Sequence, residues 1–282
     1  MKHCGTIVCL LIFALFSVAA VAAAASNDQR IVVPLTDPSR PVVLSVDFMA
    51  GQIEVTGYDG RDVVIVARNS TSQVEEGDGD GGEGTRGMKR IPNTALGLEV
   101  EEQQNHVSVS GAWQNYTVEV QIQVPFRTSA SIHTVNGGDI VVRGLQGELE
   151  LDNTNGGIAA SNIKGSVVAH TTNGNVSVTF DEITPDKPMS FTSFNGNVDI
   201  SFPPGLKADL RIEPGRGDIL TDFDFELIPT APKIERNERK GGSRIEIGQD
   251  VQAKVGGGGP TFHFKTFNGG IYIRKSSGTK SR

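Results

Sequence analysis

Histidine and aspartate recur at one position of a repeated phrase in the second half of the chain. Each copy of the phrase contains a turn residue, usually asparagine, and three residues before that turn lie His133, Asp152 and His170. If successive copies stack as strands about 4.8 Å apart, the two imidazoles flank one carboxylate. Such a set is able to bind a divalent metal or to form a pH-sensitive patch. A solvated row of polar pairs is the more ordinary interpretation, and we expect no metal.

A second candidate motif is Arg216-Gly217-Asp218, the tripeptide that animal integrins recognise. Its functional interpretation is adhesion to a host cell. In the alternative, Arg216-Gly217 simply replaces the Asn-Gly of the repeat, and Asp218 fills the slot that Asn175 and Asn197 fill elsewhere. We favour this alternative because it explains all three residues without a partner.

The sequence contains few motifs that are typical of enzymes. The sequence has no G-x-S-x-G elbow, no H-E-x-x-H and no P-loop, so we expect no catalytic residues and no cofactor. The acidic run Asp78–Gly81 lacks the later carboxylate of an EF-hand loop. Parallel β-helices do include polysaccharide lyases and hydrolases, which place paired carboxylates or basic residues on an outer strand face. Here Asp139, Asp199 and Asp218 are spread over several copies of the phrase.

These residues are positioned by a repeat. The turn asparagines are Asn136, Asn155, Asn173, Asn195 and Asn268, with Arg216 in the equivalent place once. The spacings are 19, 18, 22 and 21 residues, and then 52 where an insertion intervenes. A period near twenty is typical of a solenoid or of a series of hairpins.

Apolar columns favour the solenoid over an antiparallel meander. Four residues before successive turns lie Leu151, Ala169 and Phe191, so every coil sends the same position inward. We therefore predict an all-β fold, a parallel β-solenoid with coils of 18–22 residues. Asn-Gly at the corners fits because both residues tolerate positive φ. The stacked asparagines are expected to hydrogen-bond from coil to coil.

The N-terminal segment predicts export. A polar start, an apolar run over residues 6–21 and an alanine-rich end at residues 22–25 form a signal peptide, residues 1–25, rather than a retained anchor. Both cysteines, Cys4 and Cys9, lie within it. Removing Lys2 leaves 25 basic against 33 acidic residues, a net charge of −8. This charge argues against nucleic acid as a partner, and no later segment predicts a membrane span.

The remaining chain divides into regions by composition. We predict that residues 26–129 form a strand-rich N-terminal region that caps the solenoid. A mobile, acidic, Gly-rich loop at 70–92 is expected to interrupt this region. Residues 130–275 predict the coils, with an insertion at about 229–259. Residues 276–282 predict a flexible tail.

The recurring T-x-N-G-[GN]-[IV] phrase, the VPF at 124–126 and the ending GGGGPTFHFKTFNGGIYI resemble the bacterial putative-adhesin family of exported β-solenoid domains, a domain of unknown function. The resemblance covers most of residues 40–275. It implies a β-solenoid architecture and an envelope location, and it supplies no catalytic residues to carry over.

The function expected from the sequence is a non-catalytic, exported protein, periplasmic, on the cell surface or secreted, that presents a rigid face to a surface macromolecule. That partner is a protein or a glycan. Two alternatives stay open: a carbohydrate-active β-helix enzyme, and a structural scaffold in the cell envelope.

Overall fold

The computed structural model of the chain describes residues 29–69, 97–111, 118–229, 233–239, 242–248 and 250–276. The predicted signal peptide, the acidic loop at 70–92 with its Asp78–Gly81 run, and the predicted tail beyond Ser276 lie outside the described residues. Within those ranges the chain forms 22 strands and no helix, so the predicted all-β class is confirmed. No helical segment in the described part is long and apolar enough to cross a membrane.

The strands alternate buried and exposed side chains, as expected for sheets with one face in the core. In chain order they are β1 (Gln29–Pro34), β2 (Val42–Ala50), β3 (Ile53–Tyr58), β4 (Asp62–Asn69), β5 (Leu98–Gln103), β6 (His106–Gly111), β7 (Val118–Pro125), β8 (Thr128–Asn136), β9 (Ile140–Arg143), β10 (Gln146–Asn155), β11 (Ile158–Asn173), β12 (Val176–Ile183), β13 (Met189–Asn195), β14 (Val198–Phe202), β15 (Ala208–Glu213), β16 (Ile219–Thr221), β17 (Phe225–Ile228), β18 (Lys233–Arg239), β19 (Gly242–Gly248), β20 (Val251–Val255), β21 (Thr261–Asn268) and β22 (Ile271–Lys275).

Each coil contributes one strand before its asparagine corner and one strand after it. The strands before the corner pair in parallel with each other, and Leu151 lies in register with Ile132 on one side and Ala169 on the other. Ala169 is in turn paired with Phe191. The strands after the corner form a second parallel series, for example β9, β11, β12 and β14. Equivalent apolar side chains therefore stack from coil to coil in the core.

The stacking order departs from the order of the sequence. Strand β21 pairs with β13 on one side and with β15 on the other. Phe262 of β21 is in register with Met189 of β13 and with Leu210 of β15. The last coil of the chain, β21–β22, is thus inserted between two coils that are consecutive in sequence. The sequence-order stacking that we expected is wrong at this end of the fold.

The two ends of the fold carry antiparallel pairings, so the sheet is mixed rather than all-parallel. At one end β20 pairs antiparallel with β15 and β17, and β18 pairs with β19 as a separate hairpin within the predicted insertion. At the other end β4 pairs antiparallel with β1 and β7, and β5 with β6. The predicted parallel pairing therefore holds between the coils but not for the whole sheet, which is mixed in the predicted cap and around the predicted insertion.

The strands β2 and β3 form one further coil before the repeats. Ala50 of β2 is in register with Asn136 of β8, and Val55 of β3 with Val142 of β9. The chain then leaves this coil for β4–β7 before it returns at Thr128.

The core is narrow and aliphatic in its first half and aromatic in its second. Phe202 is fully buried and stacks on Phe180 at 5.2 Å and on Phe262 at 5.3 Å between ring centroids. Phe191 stacks on Phe264 at 5.4 Å. Full burial of each such side chain contributes about 1.5–3 kcal/mol. These rings form the core of the coils that end at Asn195 and Asn268.

Candidate binding surface

The five turn asparagines form a continuous hydrogen-bonded row at the corners of five adjacent coils, here called the asparagine ladder. The Nδ2 of Asn155 donates to the Oδ1 of Asn136 at 2.9 Å, and Asn173 donates to Asn155 at 2.8 Å. Asn195 donates to Asn173 at 2.7 Å, and Asn268 donates to Asn195 at 2.8 Å. Every amide points the same way along the row, so the ladder has an acceptor end at Asn136.

A second polar row supports the chain just past the corner. Side-chain oxygens of one coil accept backbone N–H groups of the next. Asp139 Oδ1 accepts from Gly157 at 2.6 Å, and Asn175 Oδ1 accepts from Asn197 at 2.8 Å. Asn197 Oδ1 in turn accepts from Gly270 at 2.8 Å. These bonds satisfy turn amides that strand pairing does not reach.

A third polar row lies buried beneath the corner, and its residues were not among those predicted from the sequence. The hydroxyls of Thr171, Ser193 and Thr266 each donate at 2.8 Å to a glycine carbonyl of the neighbouring coil. All three side chains are buried. The signal was present in the sequence, because a threonine, serine or asparagine stands two residues before each ladder asparagine.

Glycine is required at the corners for a different reason from the one predicted. Positive φ occurs at Gly137, but not at Gly156, Gly174, Gly196 or Gly269, nor at any ladder asparagine. Instead a Cβ on Gly174 or Gly196 would overlap the backbone carbonyl oxygen of the glycine in the neighbouring coil. The corner glycines therefore permit close stacking of coils, and the expected left-handed conformation is wrong there.

An exposed aromatic pair lies beside one end of the ladder. The rings of Phe194 and Phe267 stack at 4.9 Å between centroids with an interplanar angle of 3°. Their side chains remain 48% and 47% exposed. The guanidinium carbon of Arg216 lies 5.7 Å from the Phe267 ring centroid, within cation–π distance. Phe194, Phe267 and Arg216 are here called the corner ridge.

The Arg216-Gly217-Asp218 tripeptide occupies the corner slot of the outermost coil. The Arg216 amide donates to the Phe267 carbonyl at 3.1 Å, and the Asp218 carbonyl accepts from the Ile271 amide at 2.9 Å. All three residues are exposed. The backbone bonds hold the tripeptide against the neighbouring coil, and Arg216 lies beyond the asparagine ladder rather than within it.

The histidine row lies on the outer face of the strands before the corner. Asp152 is in register with both His133 and His170, and Asp47 of β2 extends the row beyond His133. The first coil is one residue longer after its corner, since Ile140 follows Asn136 by four positions whereas Ile158 follows Asn155 by three. The extra residue is Gly137, and it leaves His133 in line. Across the described ranges, no three histidine, cysteine, aspartate or glutamate side chains are arranged to hold a metal ion.

A charged cluster surrounds Glu213 on the same outer face. Lys265 Nζ lies 2.9 Å and His263 Nε2 lies 3.1 Å from its carboxylate oxygens, and Arg211 lies 3.3 Å away. Partial burial raises the pKa of the Glu213 carboxyl, but hydrogen bonds from Lys265 and His263 outweigh it and hold that pKa below its ordinary value. The insertion of β21 beside β15 creates this cluster.

Of the three carboxylates considered for catalysis, Asp199 of β14 and Asp218 just before β16 are separated by the intervening strand β22. Asp139 accepts the Gly157 amide described above, and Asp199 pairs with Arg274 Nε at 2.8 Å. This hydrogen bond and the charge of Asp199 raise the pKa of Arg274. Asp218 lies at the exposed corner. The structure therefore does not bring these three carboxylates into a catalytic pair.

Comparison with known families matches residues 128–247 to Toastrack DUF4097, which confirms the predicted resemblance to a family of unknown function. The match starts at the first residue of β8 and includes four of the five ladder asparagines. The sequence matches no curated protein.

Two solved structures that the chain is similar to share little sequence with it. A putative cell adhesion protein from Clostridium sporogenes shares 10% identity at a TM-score of 0.44, with 88% of this chain and 100% of that chain covered. A putative adhesin from Bacteroides fragilis shares 9% identity at a TM-score of 0.28, with 88% and 97% covered.

Proposed function

We propose that this chain, whose residues 128–247 match the Toastrack DUF4097 family, is a non-catalytic, exported, adhesin-like protein that binds a cell-surface macromolecule through its corner ridge. The single observation that carries the proposal is the exposed stack of Phe194 and Phe267 with Arg216 above it. Aromatic and arginine side chains dominate the binding energy of protein interfaces. Exposed apolar groups that are fixed in place commonly mark such contact surfaces.

Rigidity is the second support for this proposal. Asn195 and Asn268, which directly follow the two phenylalanines, are bonded to each other through their side chains. Ser193 and Thr266, which precede them, each bond a glycine carbonyl of the neighbouring coil. The backbone that carries the aromatic pair is therefore fixed on both sides. The pair loses little conformational entropy when a partner binds.

A non-catalytic role is supported by the way in which polar groups are used. Asp139 and Asp199 are engaged in bonds that hold the coils or their outer face together. Most glycoside hydrolases place two carboxylates on either side of the scissile bond of their substrate. The pair formed by Asp199 and Arg274 does not supply this arrangement.

In this proposal residues 26–129 cap a single solenoid, and residues 130–275 form its coils around the insertion at about 229–259. The in-register pairing of β2 with β8 supports continuity between the two regions. Residues 1–25 direct export and are then removed. N-terminal sequencing of the exported protein tests this last point, and a mature chain that starts at Ser26 is the expected result.

The function is tested by binding of the exported protein to envelope preparations from the producing cell. Replacing Phe194 and Phe267 by serine is expected to weaken binding at least tenfold, since each buried aromatic anchor contributes about 2 kcal/mol. The matched control is Val168→Ser, which removes a 45% exposed apolar side chain outside the ridge. Equal binding by the ridge variant and the wild type would refute the proposal.

The class of partner is determined by pretreating the envelopes. Loss of ridge-dependent binding after protease treatment indicates a protein partner, and loss after glycosidase treatment indicates a glycan. Release of reducing or unsaturated sugars by the wild-type protein would contradict the non-catalytic role.

A further inference from the structure

The five Asn-Gly dipeptides of the chain are all ladder corners. They differ in how strongly the fold protects them from spontaneous deamidation. In an Asn-Gly sequence the glycine amide nitrogen attacks the asparagine Cγ, the Cγ–Nδ2 bond breaks, and ammonia leaves with the amide proton. The resulting succinimide adds water and opens to aspartate or isoaspartate. The reaction requires a free attacking amide and a free leaving amide.

At the three inner corners both groups are held. The Gly156 amide donates to the Asn173 carbonyl at 2.9 Å, and the Gly174 amide donates to the Asn195 carbonyl at 3.0 Å. The Gly196 amide donates to the Asn268 carbonyl at 3.0 Å. The side-chain Nδ2 of each inner asparagine donates to the ladder residue beside it. The fold therefore restrains attack at these corners.

The corner at Asn136 differs in every one of these respects. The Gly137 amide and the Asn136 Nδ2 make no hydrogen bond to any residue that the structure describes. Gly137 is the extra residue of its coil, has φ +79°, and has open space around its Cβ position. The neighbouring coil carries Ala50 at the ladder position, so no side-chain amide continues the row there.

The corner at Asn268 is intermediate. Its Nδ2 is held by Asn195, but the Gly269 amide makes no hydrogen bond within the described ranges. The leaving amide is thus restrained while the attacking amide is free.

We propose that Asn136 is the site at which the folded protein deamidates, and that the ladder tolerates the product there. Asn136 acts toward the ladder only as an acceptor, through its Oδ1. A carboxylate at position 136 still accepts the Asn155 amide, as a charge-assisted hydrogen bond. At every other ladder position a carboxylate would lose a donor and would face a carbonyl oxygen. The aspartate product therefore adds one negative charge to the exposed corner and keeps the bond to Asn155.

The test is ageing of the purified full chain at mildly alkaline pH, followed by tryptic digestion and mass spectrometry. Arg127 and Arg143 bracket Asn136, so one peptide reports on it. Deamidation in the folded protein is expected about tenfold faster at Asn136 than at Asn155, Asn173 or Asn195, since each hydrogen bond that must break slows attack by a factor of a few. Asn268 should be intermediate. In denaturant all five rates should converge, because the local dipeptide is the same.

Two results would overturn the proposal: inner corners that deamidate as fast as Asn136 in the folded protein, or a rate order that is unchanged by denaturant. Deletion of Gly137 provides a second variant, because it gives this coil the length of its neighbours. The deletion is expected to slow deamidation at Asn136 several-fold, and an unchanged rate would contradict the role of the extra residue.

Tolerance of the product is measured separately. The Asn136→Asp variant carries the aspartate product in every molecule, and its urea midpoint is expected to equal that of the wild type. A clear loss of stability in this variant would contradict the argument that Asn136 acts toward the ladder only as an acceptor.

Discussion

Asn268 donates its side-chain amide to Asn195 at 2.8 Å although 73 residues separate the two in sequence. This bond exists because the last coil of the chain is inserted beside β13, between two coils that are consecutive in sequence. The same insertion brings Phe267 onto Phe194. The last bond of the asparagine ladder and the corner ridge therefore share one structural cause.

The ladder requires amides rather than carboxylates at its inner positions. Asn173→Asp removes the donor to Asn155 and places a carboxylate oxygen against its carbonyl oxygen. The expected loss is about 1–3 kcal/mol of stability, measured as a shift in urea midpoint. Asn175→Asp is the matched control, because Asn175 serves only as an acceptor in its bond to Asn197, and Asp139 already fills the same role in another coil. Equal midpoints for the two variants would show that the ladder bonds carry no stability.

Corner glycines are expected to resist substitution because of close stacking. A Cβ at Gly196 would overlap the Gly174 carbonyl oxygen, so Gly196→Ala must separate two coils. We expect a destabilisation above about 2 kcal/mol by thermal or urea unfolding. Gly205→Ala is the control, since Gly205 has open space around its Cβ position and no positive φ. If Gly196→Ala proves as neutral as Gly205→Ala, the close approach of the corners is wrong.

The cluster around Glu213 predicts a pH dependence of stability. Its folded-state pKa is lowered from 4.5 by hydrogen bonds that outweigh burial. A lowered pKa contributes stability that is full above pH 4.5 and is lost as the pH falls through the folded-state value. Glu213→Gln should therefore reduce the urea midpoint at neutral pH and flatten its fall under acid conditions. An acid profile identical to that of the wild type would contradict a stabilising role for this carboxylate.

Much of the coil structure was predictable from the sequence, because each coil repeats the same inward positions. The columns through Leu151, Ala169 and Phe191 follow from apolar spacing alone, and the structure pairs them as expected. The polar row at Thr171, Ser193 and Thr266 was equally visible in the repeat, but its burial follows only from the tight corner beneath which it lies.

The stacking order was not predictable from local patterns. Parallel pairing between coils uses backbone hydrogen bonds that every coil of the repeat supplies, so the backbone of β21 is able to pair with β13 as well as that of β15. One signal was available, because Asn268 is able to extend the ladder whereas Arg216 is not. The prediction of positive φ at the corners was wrong for a related reason. The same Asn-Gly dipeptide serves a positive-φ hairpin turn and a closely stacked corner, and only the neighbouring coil distinguishes them.

Disulfide cross-linking tests the insertion of the last coil most directly. Thr192 is in register with Lys265, and neighbouring strands lie about 4.8 Å apart, within the Cα separation that a disulfide spans. The only native cysteines, Cys4 and Cys9, lie in the predicted signal peptide. A Thr192→Cys/Lys265→Cys variant is expected to cross-link readily under mild oxidation, while Thr192→Cys/Glu213→Cys is not. Efficient cross-linking of the second pair and none of the first would place β15 beside β13 and would contradict the shared origin of the last ladder bond and the ridge.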